Sequence, residues 1–196
     1  MVKKIYIWVV LLFFAIIASG CASNIGTVKA ITAPTDETVI KKQSNLALEI
    51  KTIGDLVITS SDLERISKLI LIQIKSEYPR RFKTINSISN ELSTLRATVI
   101  IRRYDPGNAF ARAMLIGLGQ IHIDADVTLV DIETNKDVAS YDVTKTFAMG
   151  GIWGATTDIK DVEEGFAKAV AASIMGITEP TNPSPVGVAH GPGHGQ

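Results

Sequence analysis

Between Ile121 and Asp131, the apolar residues Ile121, Ile123, Ala125, Val127 and Leu129 alternate with His122, Asp124, Asp126 and Thr128. This is the period-two pattern of a strand with one buried face. Leu95 to Tyr104 repeats it, with Leu95, Ala97, Val99 and Ile101 on one face and Arg96, Thr98, Ile100 and Arg102 on the other. Asp137 to Phe147 returns as the hairpin partner of 121–131. Keeping Tyr141 and Val143 on the face of Val127 and Leu129 calls for an odd loop, most simply Thr134-Asn135-Lys136, with Asn135 or Lys136 in the left-handed conformation. The same register sets Thr146, Thr144 and Asp142 opposite His122, Asp124 and Asp126.

Two stretches follow helical spacing instead. Leu63, Ile66, Ile70 and Ile74 recur at three to four residues, Pro79 stops the run, and Ser61 with Glu64 can form a capping box at its start. Glu64 and Lys68 stand one turn apart as an ion pair worth a few tenths of a kcal/mol, roughly. Short extended pieces at Asn45–Ile50 and Phe82–Ile85 flank this helix and predict a strand, helix, strand unit with a right-handed crossover. The last helix spans Asp158 to Met175, with Ile159, Val162, Phe166, Val170 and Ile174 on its buried face. Asp158 and Asp161 complement its positive end, and Gly176 closes it. The elements predict an α+β fold, a mixed and mainly antiparallel sheet with two main helices packed on one face.

The ends of the chain lie outside this pattern. Met1-Val2-Lys3-Lys4 precedes thirteen uncharged, largely apolar residues, Ile5 to Ile17, the size of a signal-peptide core and short of the roughly 20 that a membrane-spanning helix needs. Ala18-Ser19-Gly20-Cys21 follows, and it resembles the lipobox of bacterial lipoproteins, in which the thiol is acylated before cleavage on its N-terminal side. Ser19 and Gly20 fit that pattern, whereas Ala18 stands where a large aliphatic residue is usual. A plain signal peptide or an uncleaved anchor is the alternative. The sequence has one cysteine, so the resemblance implies lipidation at Cys21, and Ala22 in place of Asp implies the outer membrane of a Gram-negative cell, facing the periplasm. In a Gram-positive cell the anchor would sit on the outer face of the cytoplasmic membrane. The expected organisation is a signal peptide over 1–20, a lipidated tether over 21–44, a single domain over 45–178 and a disordered tail over 179–196, rich in Pro, Gly and His.

Charge narrows the partners little. The chain carries 20 basic and 20 acidic residues, and removing Lys3 and Lys4 leaves 18 against 20. No basic stripe argues for nucleic acid. His190 and His194 make a poor metal site on a tail without order. His122, Asp124 and Asp126 share a strand face, but neighbours roughly 6–7 Å apart diverge too far to meet on one ion without a further ligand, and a solvated face balanced by Arg96 and Arg102 is the simpler reading. No Ser, His and Asp set has catalytic spacing. No enzyme activity, cofactor or metal is expected.

Two Gly-rich apolar segments are left over from the core. Asp105-Pro106-Gly107-Asn108 reads as a tight turn, with Gly107 at the position that permits positive φ. Asn108 can then cap Ala109 to Ile116, before Gly117-Leu118-Gly119. The second segment, Ala148 to Gly154, follows the hairpin. Antiparallel pairing places both at one open end of the sheet. Gly117-x-Gly119 precedes a strand instead of following one, so neither segment is a phosphate loop.

Arg103 to Asn108, Arg112, Gly117-Leu118-Gly119, the Val-Asp-x-x-Thr hairpin at Val130 to Thr134 and the later Gly-rich run before a helix resemble the bacterial lipoprotein family catalogued as domain of unknown function 4410. The resemblance covers roughly Leu46 to Gly176, with Asn135 where Gly is more usual. It implies an envelope location and supports the fold, and it brings no reaction or ligand. The function expected is a noncatalytic partner-binding or assembly module. Its membrane contact is the anchor on Cys21, and its contact with a protein partner, or with itself, runs through Phe110, Arg112, Met114, Leu115, Ile116, Ile152 and Trp153. A carrier that lines a pocket for a lipid or other apolar small molecule with the same residues is the alternative; burial of those side chains beneath the last helix would remove both. The acyl chains of Cys21 suffice to hold the domain at a membrane, so the sequence assigns these loops no anchoring role.

Overall fold

The computed structural model describes residues 25–34, 37–86, 93–114 and 118–178. The predicted leader, Cys21 and the tail 179–196 lie outside the described residues. Among the described residues six strands, β1 (Thr27–Thr32), β2 (Asn45–Thr52), β3 (Thr84–Asn86), β4 (Thr94–Asp105), β5 (Ile121–Asp131) and β6 (Lys136–Phe147), form one sheet in the order β1-β6-β5-β4-β2-β3. β2 pairs in parallel with both β3 and β4, and the remaining pairs are antiparallel. The helices are α1 (Glu37–Lys42), α2 (Ser60–Glu77), α3 (Ala109–Met114), α4 (Gly151–Thr156) and α5 (Ile159–Ile174). The fold is α+β, as the periodicity predicts.

Alternation decides which sheet face is covered. Ile121, Ile123, Ala125, Val127 and Leu129 on β5 and Leu95, Ala97, Val99 and Ile101 on β4 are fully buried, together with Ile66, Ile70 and Ile74 of α2 and Phe166, Val170 and Ile174 of α5. Each such large side chain contributes roughly 1.5–3 kcal/mol by leaving water. α5 opens with a capping box between Asp158 and Asp161. α2 does so two residues earlier than the sequence suggests. Thr59 is its N-cap, in extended conformation, and exchanges hydrogen bonds with Asp62, which leaves Ser61 inside the first turn.

The hairpin register matches the expectation while its loop does not. His122, Asp124 and Asp126 stand opposite Thr146, Thr144 and Asp142. The connection is the four residues 132–135, an even loop, and the parity is restored by a bulge where Leu129 faces Ala139 but Val130 faces Asp137. Asp131 explains the length. Its carboxylate accepts from the Glu133 amide at 3.0 Å and the Thr134 hydroxyl at 2.7 Å, which closes a local turn before β6 begins. Asn135 then takes φ of 50°, the left-handed position assigned to it or its neighbour.

A second bulge lies between Ile101 and Arg103. Strict alternation would send Tyr104 to the outer face with Arg102. The extra residue turns it onto the helix face, where its hydroxyl donates to Glu163 of α5 at 2.7 Å. Arg65 of α2 reaches both oxygens of the same carboxylate, at 2.6 and 2.7 Å, and Asp62 at 2.5 Å. These groups fasten the two main helices to each other and to β4.

The predicted tether over 21–44 needs correction. Thr27–Thr32 is an edge strand paired with β6, and Glu37–Lys42 is a short helix that buries Ile40. β1 escapes sequence reading because an edge strand covers little: Val28 is buried, while Thr27, Lys29 and Ile31 are exposed.

Candidate functional site

The pairing brings both Gly-rich segments to one end of the sheet. Asp105 at the end of β4 lies opposite His122, and Phe147 at the end of β6 lies opposite Ile121. The segment carrying α3 and the segment carrying α4 therefore leave from adjacent strands and pack on each other there.

Local chemistry shapes the first segment. The Asp105 carboxylate accepts from the Gly107 amide at 2.8 Å and from Arg103 at 2.9 Å. These two donors, Arg103 above all, hold its carboxyl below the usual aspartate range. Gly107 has φ of 63°, and a β-carbon there would lie 2.1 Å from the Gln120 carbonyl oxygen, so only glycine fits. Asn108 accepts from the Ala111 amide at 2.9 Å and starts α3, as its position suggests.

Arg112 ties the two segments together. It is 3% exposed, and its guanidinium is spent on main-chain carbonyls. Nε donates to Gly154 at 2.7 Å, Nη1 to Pro106 at 2.9 Å and Gly119 at 2.6 Å, and Nη2 to Thr157 at 3.0 Å. Two of these carbonyls belong to each segment. The planar fork of Arg suits four fixed acceptors, which an ammonium group could not match. Arg112 is thus a scaffold for the surface and offers a partner nothing directly. Gly154 is tightly held as well, since a β-carbon there would sit 2.2 Å from the Met149 carbonyl oxygen.

Around this buried clamp the apolar side chains point outward. Phe110 is 75% exposed, Met114 67%, Ile152 82% and Trp153 75%. The structure therefore brings four of the predicted contact residues together in solvent, and none of these four is covered by the last helix. Leu115 and Ile116 lie outside the described residues. Leu118 and Met149 join the patch. Their position inside the two Gly-rich runs was the available signal for them, and exposure was what sequence alone left open. Residues this exposed do not line an enclosed pocket. A cavity of about 340 Å³ lies instead at the opposite end, beside β3, between Ile74, Tyr78, Phe82 and Ile85.

The row His122, Asp124 and Asp126 stands on the outer sheet face. His122 pairs with the Thr146 hydroxyl at 3.1 Å, and Arg102 bridges Asp126, at 3.2 Å, and Asp142. Partial burial raises the Asp124 carboxyl, opposed by Arg103, His122 and Arg102. Among the described residues no group of three His, Cys, Asp or Glu is placed to hold a metal ion.

The family model described as domain of unknown function (DUF4410) matches residues 72–151, so the resemblance seen in the sequence holds over the segment from α2 through the first Gly-rich loop to the start of α4. No curated protein matches. Two solved structures of PelC from Paraburkholderia phytofirmans share the fold. One, a dodecamer of a Leu-to-Met point variant, has 11% identity and a TM-score of 0.52 over 79% of this chain and 100% of its own. The other, also a dodecamer, has 12% identity and a TM-score of 0.50 over the same shares.

Proposed function

We propose that this chain is a noncatalytic assembly module of the bacterial envelope. It is held by lipid on Cys21 at the outer membrane, faces the periplasm, and makes its contact through the apolar end formed by Phe110, Met114, Ile152 and Trp153. The observation that carries this reading is the combination of outward apolar side chains with a buried Arg112 that fixes their backbone. A folded monomer gains nothing by holding four large apolar groups in water, and such patches mark contact surfaces. Assembly with copies of itself is supported by the dodecameric state of the two PelC structures. The carrier alternative loses support, because these side chains project into solvent.

Crosslinking of intact envelopes followed by mass spectrometry tests the reading, with wild type compared to Trp153→Ala. The side chain is three-quarters exposed, so its removal should alter folding stability by no more than about 0.5 kcal/mol. The expected result is loss of one specific crosslink, to a second copy or to one envelope protein, with the melting curve unchanged. An unchanged crosslink pattern refutes the contact surface. Cys21→Ser should release the protein from the membrane fraction, and continued fractionation with membranes would refute the anchor.

A further inference from the structure

We infer that the apolar end is a lipid-inserting foot, which docks the folded domain on the membrane that holds its anchor and thereby sets its orientation. The inference rests on the lipoprotein reading alone and gives this surface to the bilayer in place of a second copy or an envelope protein. Its basis is where the chain enters the fold. Thr27 lies opposite Thr144 on β6, and β1 runs antiparallel to β6, so residues before Thr27 head toward the end at which β6 stops. The Gly26 amide donates to Gly165 of α5 at 2.9 Å and Ile25 is buried, which fixes the entry point. From Thr144 to Phe147, where the second Gly-rich segment begins, is roughly 10 Å along the strand. Cys21 stands six positions before Thr27, a reach of at most about 20 Å. The chain therefore enters the fold at the same end of the molecule as Phe110, Met114, Ile152 and Trp153, six positions after the predicted acylation site. α5 leads away from that end.

A flexible acyl tether holds a domain near a membrane without choosing which side faces it. An apolar end placed at the root of the tether makes that choice, because the tether already confines it within a chain length of the bilayer. The side chains are suited to insertion. Trp153 is amphipathic and favours the lipid–water boundary, and Phe110, Met114 and Ile152 are apolar groups that can enter the upper acyl region. Ile53 and Val57, both exposed, follow β2 toward the same end. Arg112 satisfies the carbonyls behind these side chains, so the loops can approach hydrocarbon without unpaired backbone groups at those four positions.

The mature chain offers its own probe. Removal of the leader takes away Trp8 and leaves Trp153 as the sole tryptophan. The acylated protein, reconstituted in vesicles of phosphatidylethanolamine and phosphatidylglycerol with or without bromine on the acyl chains, should show Trp153 emission shifted to the blue and quenched by the brominated lipid. The double variant Phe110→Ser and Ile152→Ser, altered at two solvent-exposed positions, should lose the quenching while remaining in the vesicle fraction through its anchor. Unquenched, water-like emission from acylated, vesicle-bound wild type overturns the inference. So does a blue shift that appears only at high protein density and without quenching, which would show copies of the chain covering the patch. The mass of the mature N-terminal peptide keeps the two claims apart: acyl-free Cys21 overturns the lipoprotein reading and the inference built on it, whereas acylated Cys21 with unquenched Trp153 overturns the inference alone.

Discussion

Two arginines organise this molecule in different ways. Arg65, between the main helices, meets Glu163, Asp62 and Tyr104, and its charge is neutralised by carboxylates. Arg112, at the apolar end, meets four carbonyls, and among the described residues no carboxylate is hydrogen-bonded to it. The first arrangement closes a fold, because paired charges beneath two helices serve contacts that are already internal. The second stiffens a surface: the guanidinium ties two loops from behind and leaves their apolar side chains outside. An arginine can therefore serve stability in one place and presentation in another, according to what its partners are attached to.

The largest effect is expected where charge is paired. Arg65→Ala leaves the fully buried Glu163 carboxylate without its cation, which should cost about 3–5 kcal/mol and lower the melting temperature of the whole domain. A smaller loss, with Glu163→Gln retaining most of the stability, would show that the Tyr104 hydrogen bond dominates that cluster. Arg112→Ala should cost about 2–3 kcal/mol, since several carbonyls lose their donors but lie near solvent once the loops loosen. Its more telling consequence is local. Amide exchange should accelerate across 106–119 and 150–157 while α2 and α5 stay protected, and Arg112→Lys should fail to restore protection. If exchange instead rises uniformly, Arg112 belongs to the fold in the same sense as Arg65.

The smallest effect concerns pH. Arg103 and the Gly107 amide depress the Asp105 carboxyl below its ordinary value of 3.8. Its contribution to stability is therefore complete above that value and is lost as pH falls through the lower folded-state value. Asp105 is partly exposed, so Asp105→Asn should differ from wild type by about 0.5 kcal/mol or less at neutral pH, with the two unfolding curves converging below pH 3.8. A gap that persists in stronger acid would mean that turn geometry, not charge, is what Asp105 supplies.

Much of the architecture was legible because it depends on local period. β5 matched its predicted span, Ile121 to Asp131, and the buried faces of β4 and α5 were readable residue by residue. The features that were not legible are those where two segments negotiate. The bulge after Ile101 follows from pairing with β5, and nothing in 101–104 alone announces that Tyr104 will turn toward Glu163. The even hairpin loop followed from Asp131 capping Thr134, with a bulge absorbing the difference.

The contact surface divides the same way. That two Gly-rich apolar segments meet at one end of the sheet was legible in the chain, because antiparallel pairing leaves no other arrangement. Asn108 was readable as a cap, and the left-handed residue of the hairpin was narrowed to Asn135 or Lys136, of which the fold uses Asn135. Which side chains of those segments turn out was settled by packing at the assembled sheet end. Arg112, counted by its type among the contact residues, went inward because the fold set four carbonyls around it. Phe110, Ile152 and Trp153, which hydropathy would bury, went outward because the clamp occupies the space behind them. Burial at a loop depends on what else arrives there, and that is a property of the assembled sheet end and not of either segment.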